Sequence, residues 1–169
     1  MSEEKTRRLV ISALFAAMEC LAALFIRLPS PLGGYLNAGD ALVLPMALLL
    51  GPAMGGLAAA LGAAGADLLS GFAVYAPASF VLRVLMVSLA ALLLRACRRR
   101  PPLGAILGGL CAEAVMVFGY FAYNALVLGY GTGALAAVPG DCMQGVFGLI
   151  AGTLLTGVLR RALEKRRPE

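Results

Sequence analysis

Long apolar stretches broken by single charges set the strongest limit on what this chain can fold into. Six ionisable side chains (Glu19, Asp40, Asp67, Arg83, Glu113 and Asp141) lie within or at the mouths of those stretches, and almost every other charge falls outside them. With 61% hydrophobic and 14% charged residues among 169, the chain has too little polar surface to cover a soluble globule, and its apolar runs approach the roughly 20 residues that span a bilayer. The expected class is an all-α integral membrane protein, a compact bundle forming one domain over residues 1–169. A charge inside such a helix is costly unless it pairs or faces a wet cavity, so the six mark something polar to hold.

The apolar segment after Thr6 runs on through Phe25 without a small-residue cleavage pattern and is read as a retained helix. Cys20, Cys97, Cys111 and Cys142 form no CxxC pair and His is absent, a pattern of packing residues rather than of a metal or cofactor site. Hydropathy and Pro/Gly punctuation predict about six transmembrane helices, over residues 6–26, 39–50, 52–70, 77–97, 102–128 and 139–163. The second is short for a span and is expected to be tilted, broken or seated beside a thinned region. Gly51 and Gly55, Gly104 and Gly108, and Gly148 and Gly152 are spaced for close helix contact. Small residues on nearly every face of the third segment place it centrally.

Basic residues set the orientation. Lys5, Arg7 and Arg8 precede the first helix, Arg95 and Arg98 to Arg100 join the fourth to the fifth, and Arg160, Arg161, Lys165, Arg166 and Arg167 follow the sixth. All three clusters fall on one side of a six-helix chain, so the positive-inside rule predicts cytoplasmic termini. The net charge of +5 is thereby read as topology and anionic-lipid contact, with no nucleic-acid partner.

Counting about 1.5 Å per residue from that face gathers the polar residues in the outer half. Glu19, Asn37, Asp40, Asp67, Arg83, Asn124, Asp141 and Gln144 map there, together with Tyr120, Tyr123 and the other three tyrosines; Glu113 lies near mid-depth. Tyr35 and Tyr130 read as an interfacial belt. Asp40 and Asp141, each after a Gly at a helix start, suit either helix capping or ligand contact. Asp67 and Arg83 suit either a mutual ion pair or a substrate role.

A basic amino end, alanines four apart at Ala13 and Ala17, a Pro/Gly-rich loop ending in Gly34-Tyr35-Leu36-Asn37-Ala38-Gly39-Asp40, then Leu50-Gly51-Pro52 and Ala66-Asp67-Leu68-Leu69-Ser70-Gly71 follow in order. With Tyr75-Ala76-Pro77 and Gly119-Tyr120-Phe121, this order resembles the substrate-binding S components of energy-coupling factor (ECF) vitamin transporters, the riboflavin-type group above all. The resemblance implies a multi-pass subunit of a bacterial or archaeal cell membrane that captures a vitamin-like molecule from outside and delivers it inward. It further implies a lid at residues 28–38, a docking face at Ala13 and Ala17 for a transmembrane coupling subunit, and two ATP-hydrolysing partners. The chain has no GxxxxGK[ST] phosphate loop, so it is not expected to be an enzyme.

Tyrosines, small residues and the amides of Asn37, Asn124 and Gln144 suit a flat heterocycle. The family resemblance points to riboflavin, whereas the excess of acids over Arg83 leaves room for an amine-bearing or hydroxyl-rich ligand such as a pyridoxine-, thiamine- or queuosine-precursor-like molecule. Lack of Trp lowers thiamine. Three other classes compete. A stand-alone ion-coupled carrier would use Glu19, Asp67 or Glu113 as coupling groups. An intramembrane enzyme would have to do without His, and a structural scaffold leaves the shared depth of the polar groups unexplained.

Overall fold

The computed structural model describes residues 3–30, 32 and 35–165, so Pro31, Gly33 and Gly34 of the expected lid and Arg166 and Arg167 of the basic tail lie outside the described residues. Helices α1 (Glu3–Phe25), α2 (Val43–Leu49), α3 (Gly51–Leu69), α4 (Ala76–Ala96), α5 (Pro101–Ala122) and α6 (Val138–Glu164) make up most of the chain. Among the described residues, five helical stretches are long and apolar enough to cross a bilayer: Glu3–Phe25, Gly51–Leu69, Ala76–Ala96, Pro101–Val127 and Gly131–Glu164.

Of the six expected helices, the second is the one that falls short of bilayer length, as its sequence suggests. With the 3-10 turn Gly39–Leu42 that leads into it, α2 forms one apolar unit, Gly39–Leu49. At 1.5 Å per residue this covers only about half of a hydrocarbon core. Its residues from Gly39 through Ala47 are all buried, packed among α3, α4, α5 and α6. A helix buried over most of its length in protein need not match the bilayer's thickness, because little of its surface is left for lipid. Gly51 then turns the chain sharply into α3 with φ 75°, a left-handed conformation that suits glycine.

Around α2, Met46, Met86 and Met116 are wholly buried with Ala59, Ala90 and Ala112. Between lipid-solvated helices such contacts stabilise through close packing rather than escape from water, and alanine and methionine suit that requirement. The α1–α3 seam shows how close the approach is. A Cβ added at Gly62 would lie 2.5 Å from the backbone carbonyl of Ala16. Ser12, Glu19 and Ala23 form the inward stripe of α1, while Ala13 and Ala17 are exposed on another face.

Two short strands were not anticipated. β1 (Arg27–Pro29) and β2 (Tyr35–Asn37) pair antiparallel, with Arg27 opposite Asn37 and Pro29 opposite Tyr35. Tyr35 and Asn37 share one face of β2, as alternate residues of a strand must. Arg27 stacks its guanidinium 5.5 Å from the Tyr35 ring. The hairpin bridges the outlet of α1 and the start of α6.

The predicted fifth helix, residues 102–128, keeps its length but changes its winding. From Tyr123 to Val127 the chain is a π-helix, in which the amide of Leu128 bonds to Tyr123 five residues back at 3.0 Å. The wider turn carries the buried side chain of Asn124.

Candidate functional site

Beneath the hairpin lies a cavity of about 40 Å³. Ser79 and Arg83 reach it from one face of α4, four residues apart; Tyr120 and Asn124 do the same from α5 and its π-turn, and Asp141 and Gln144 from α6. Asp67 on α3 and Asn37 on β2 complete its polar wall, with Tyr35 and Tyr75 beside them. A space this small admits water but no organic ring without movement of its walls.

Arg83 is the hub beneath the cavity. Its Nε lies 3.2 Å from Glu19 Oε1, and its Nη1 donates to Asp40 Oδ1. All three side chains are buried, with exposures of 2% for Arg83, 0% for Glu19 and 1% for Asp40. Gln144 donates from Nε2 to the other Asp40 oxygen at 2.7 Å and accepts the backbone N–H of Asn37 at 2.7 Å. Asn37 Oδ1 in turn accepts from Gly39 N at 2.9 Å and from Arg83 Nη2 at 3.4 Å. Hairpin, 3-10 turn, α4 and α6 are thus held by one polar network.

A second network occupies the opposite wall. Asp67 accepts from the Tyr35 hydroxyl at 2.7 Å and from Ser79 Oγ at 2.5 Å, and Ser79 also meets the Tyr120 hydroxyl at 2.7 Å. Tyr75 donates to Asn124 Oδ1 at 3.1 Å and packs its ring 6.5 Å from Tyr120. Burial, and then the bond to Asp67, pushes the Tyr35 hydroxyl above its ordinary range, which keeps it a donor. Burial raises Tyr75 as well.

Several expectations change here. Asp67 and Arg83 are not each other's partners: Arg83 is taken by Asp40 and Glu19, because the 3-10 turn brings Asp40 under α4 while Asp67 is occupied by two hydroxyls. Neither Asp40 nor Asp141 caps its helix. The residues preceding those helices are Ala38 and Ala137, without side-chain capping bonds, and the aspartates sit inside the first turn with side chains turned to Arg83 and to the cavity. Glu19 and Asp40 stand behind Arg83 rather than on the cavity surface. Tyr123 packs 6.1 Å from the Tyr75 ring and donates to the Val74 carbonyl at 2.5 Å, outside the cavity wall. Glu113 lies below, against Gly145 and Gly148, with its Oε2 buried and unbonded among the described residues.

Tyr35, assigned to an interfacial belt by sequence, lines the cavity, as do Tyr75 and Ser79. The signals were local: Tyr35 stands two before Asn37 on a strand, and Ser79 four before Arg83 on a helix. Asp141 carries the feature most specific to this site. It is 7% exposed, faces the cavity, and its Oδ2 has no hydrogen-bond partner among the described residues.

Five bilayer-length helical stretches around a buried half-length helix, with a polar cavity at one end, define a polytopic membrane protein built to hold a polar group within its bundle. The family described as "ECF-type riboflavin transporter, S component" matches residues 3–161. The chain belongs to this family and is a membrane substrate-binding subunit of an ECF transporter, a transporter subunit rather than a catalyst. A Pyrococcus woesei protein described as "Uncharacterized protein in gap 3'region" is 32% identical over 146 residues, covering 85% of this chain and 95% of that protein. The family implies a multi-pass protein of a bacterial or archaeal cell membrane, a vitamin-type substrate and partners of the ECF module.

Proposed function

We propose that this subunit captures a flat, vitamin-type heterocycle from outside the cell in the cavity beneath the β1–β2 hairpin and delivers it inward when ATPase partners drive the module. The observation that carries the reading is the cavity itself: tyrosine rings and amide side chains converge there from separate parts of the chain, under a hairpin held by hydrogen bonds to Asp67 and Gln144 and by the packing of Tyr35 on Phe72. Binding requires the hairpin to lift, since the closed space is about 40 Å³. By the positive-inside rule both termini face the cytoplasm, which turns the hairpin end outward.

Riboflavin, named in the family's description, is the first candidate. Asp141 supports a second. Arg83 faces two carboxylates behind the wall, so the charges left at the cavity are those of Asp67 and Asp141. A protonated amine on the ligand would neutralise Asp141 and supply the donor its Oδ2 lacks.

Mass spectrometry of small molecules retained through purification in detergent, followed by thermal shifts with a vitamin panel, tests the reading. Recovery of a heterocycle supports it; no retained heterocycle and no shift with any vitamin overturn it. Uptake into vesicles by this chain alone, driven by an ion gradient, would instead establish a stand-alone carrier. The ligand class is separated by pyridoxamine and pyridoxine, which differ by an amine in place of a hydroxyl. With an amine ligand, Asp141→Asn should weaken pyridoxamine binding roughly tenfold or more, the equivalent of about 1.4 kcal/mol, and leave pyridoxine binding nearly unchanged. Equal effects on both would discard the amine assignment and keep the riboflavin one.

Ala13 and Ala17, exposed on α1 away from its buried stripe, suit the docking face for the coupling subunit. Ala13→Trp and Ala17→Trp should each prevent co-purification with that subunit while ligand affinity in the isolated chain stays within about twofold, since neither side chain approaches the cavity. Intact assembly in both variants would move the interface elsewhere.

A further inference from the structure

At the end of the bundle opposite the hairpin, a cavity of about 370 Å³ opens where α2 breaks into α3. Arg8 of α1, Arg95 at the last turn of α4, Arg98 in the link to α5 and Arg160 of α6 all line it. Arg8, the Arg95–Arg98 pair and Arg160 are distant in sequence and come together only in the folded bundle. Among the described residues no carboxylate lines this cavity, Arg95, Arg98 and Arg160 have no ion-pair partner, and Arg8 has only the exposed Glu4 at 3.9 Å. Arg160 Nε is buried with no hydrogen-bond acceptor among the described residues.

One intrinsic attraction exists, and it is too small. The carboxyl end of α2, Leu48 to Leu50, forms part of the wall, and Arg95 Nη2 stands 3.1 Å from the place a Cβ on Gly51 would take. A helix end presents a charge of about −0.5, and less from a helix this short, against four full positive charges. The surplus calls for an anion with several acceptor oxygens, which guanidinium groups bind in pairs of parallel hydrogen bonds. The rest of the wall is apolar: Leu48, Leu49, Leu50 and Leu94 with Ala47, Gly51 and Ala91.

We infer that this cavity binds the phosphate headgroup of an anionic phospholipid, its arginines on the phosphate and its leucines on the first methylenes of the chains. Basic pockets between transmembrane helices recognise headgroups by this combination. The site shares no residue with the hairpin cavity. It adds a lipid requirement to a subunit whose solute site is elsewhere.

The test uses the full chain in nanodiscs of phosphatidylcholine with and without phosphatidylglycerol, followed by native mass spectrometry of retained lipid. Wild type should retain phosphatidylglycerol selectively and melt at a higher temperature in its presence. Arg98→Gln with Arg160→Gln should lower that retention roughly tenfold or more, equivalent to about 1.4 kcal/mol, while its melting temperature in pure phosphatidylcholine matches wild type. Equal retention of the two lipids, or retention unchanged in the double variant, overturns the inference. Displacement of the lipid by millimolar inorganic phosphate or ATP overturns it in favour of a soluble phosphate ligand.

Discussion

Arg83→Met is expected to be the most destabilising single substitution in the polar interior, lowering unfolding free energy by about 3–5 kcal/mol. The arginine is 2% exposed and, among the described residues, is the one cation paired with Glu19 and Asp40, so its loss strands two buried carboxylates. Thermal unfolding in detergent measures this directly. Replacing Arg83, Glu19 and Asp40 together by apolar residues of similar size should recover most of the loss, because what destabilises is the unpaired charge rather than the missing bridge. A single variant as stable as wild type would mean that these carboxylates carry no charge to strand.

Gly62→Ala should prise α1 from α3. The new Cβ would lie 2.5 Å from the Ala16 carbonyl and 2.6 Å from Glu19 Cβ, and a backbone carbonyl cannot rotate aside. Overpacking of this kind costs roughly 1–3 kcal/mol, and displacing Glu19 loosens its pairing with Arg83 as well. Gly65→Ala is the matched control one turn along the same helix. There a Cβ meets only Cys20 Sγ at 3.9 Å, and the gain in helix propensity of about 1 kcal/mol should leave the protein as stable or more so. Melting temperatures that fall equally in both variants would refute the close approach at Gly62.

The helices were legible in the sequence because lipid allows few alternatives: backbone polar groups at membrane depth must be bonded within the segment, so apolar length and Pro/Gly punctuation nearly define the elements. What they left open was which helix lipid touches. α2 reads as a weak span from its length, yet its short run is the most enclosed part of the molecule. The polar residues at the outer end were also legible as a group, since a charge in an apolar helix persists only where a partner or water receives it. Their partners were not. Asp67 and Arg83 are the natural pair from sequence depth alone, but a 3-10 turn places Asp40 under Arg83, and two hydroxyls, from Tyr35 and Ser79, take up Asp67. Short-range pattern failed most at the hairpin, where strands of three residues carry no periodicity to detect. Tyr35 was misplaced for the same reason, because its direction depends on the strand register.

The hairpin closes the chamber with the same kind of groups that a solute would use. Tyr35 gives a hydroxyl to Asp67, and Asn37 gives an amide N–H to Gln144. On the proposed function, entry is therefore an exchange reaction in which an incoming molecule replaces bonds the chain already makes to itself. Observed affinity is then the intrinsic affinity scaled by the fraction of time the entrance stands open. Such a site rejects poor mimics of its own hairpin, and it selects for solutes that present a donor to the acid and a donor to the amide at the same spacing as residues 35 and 37.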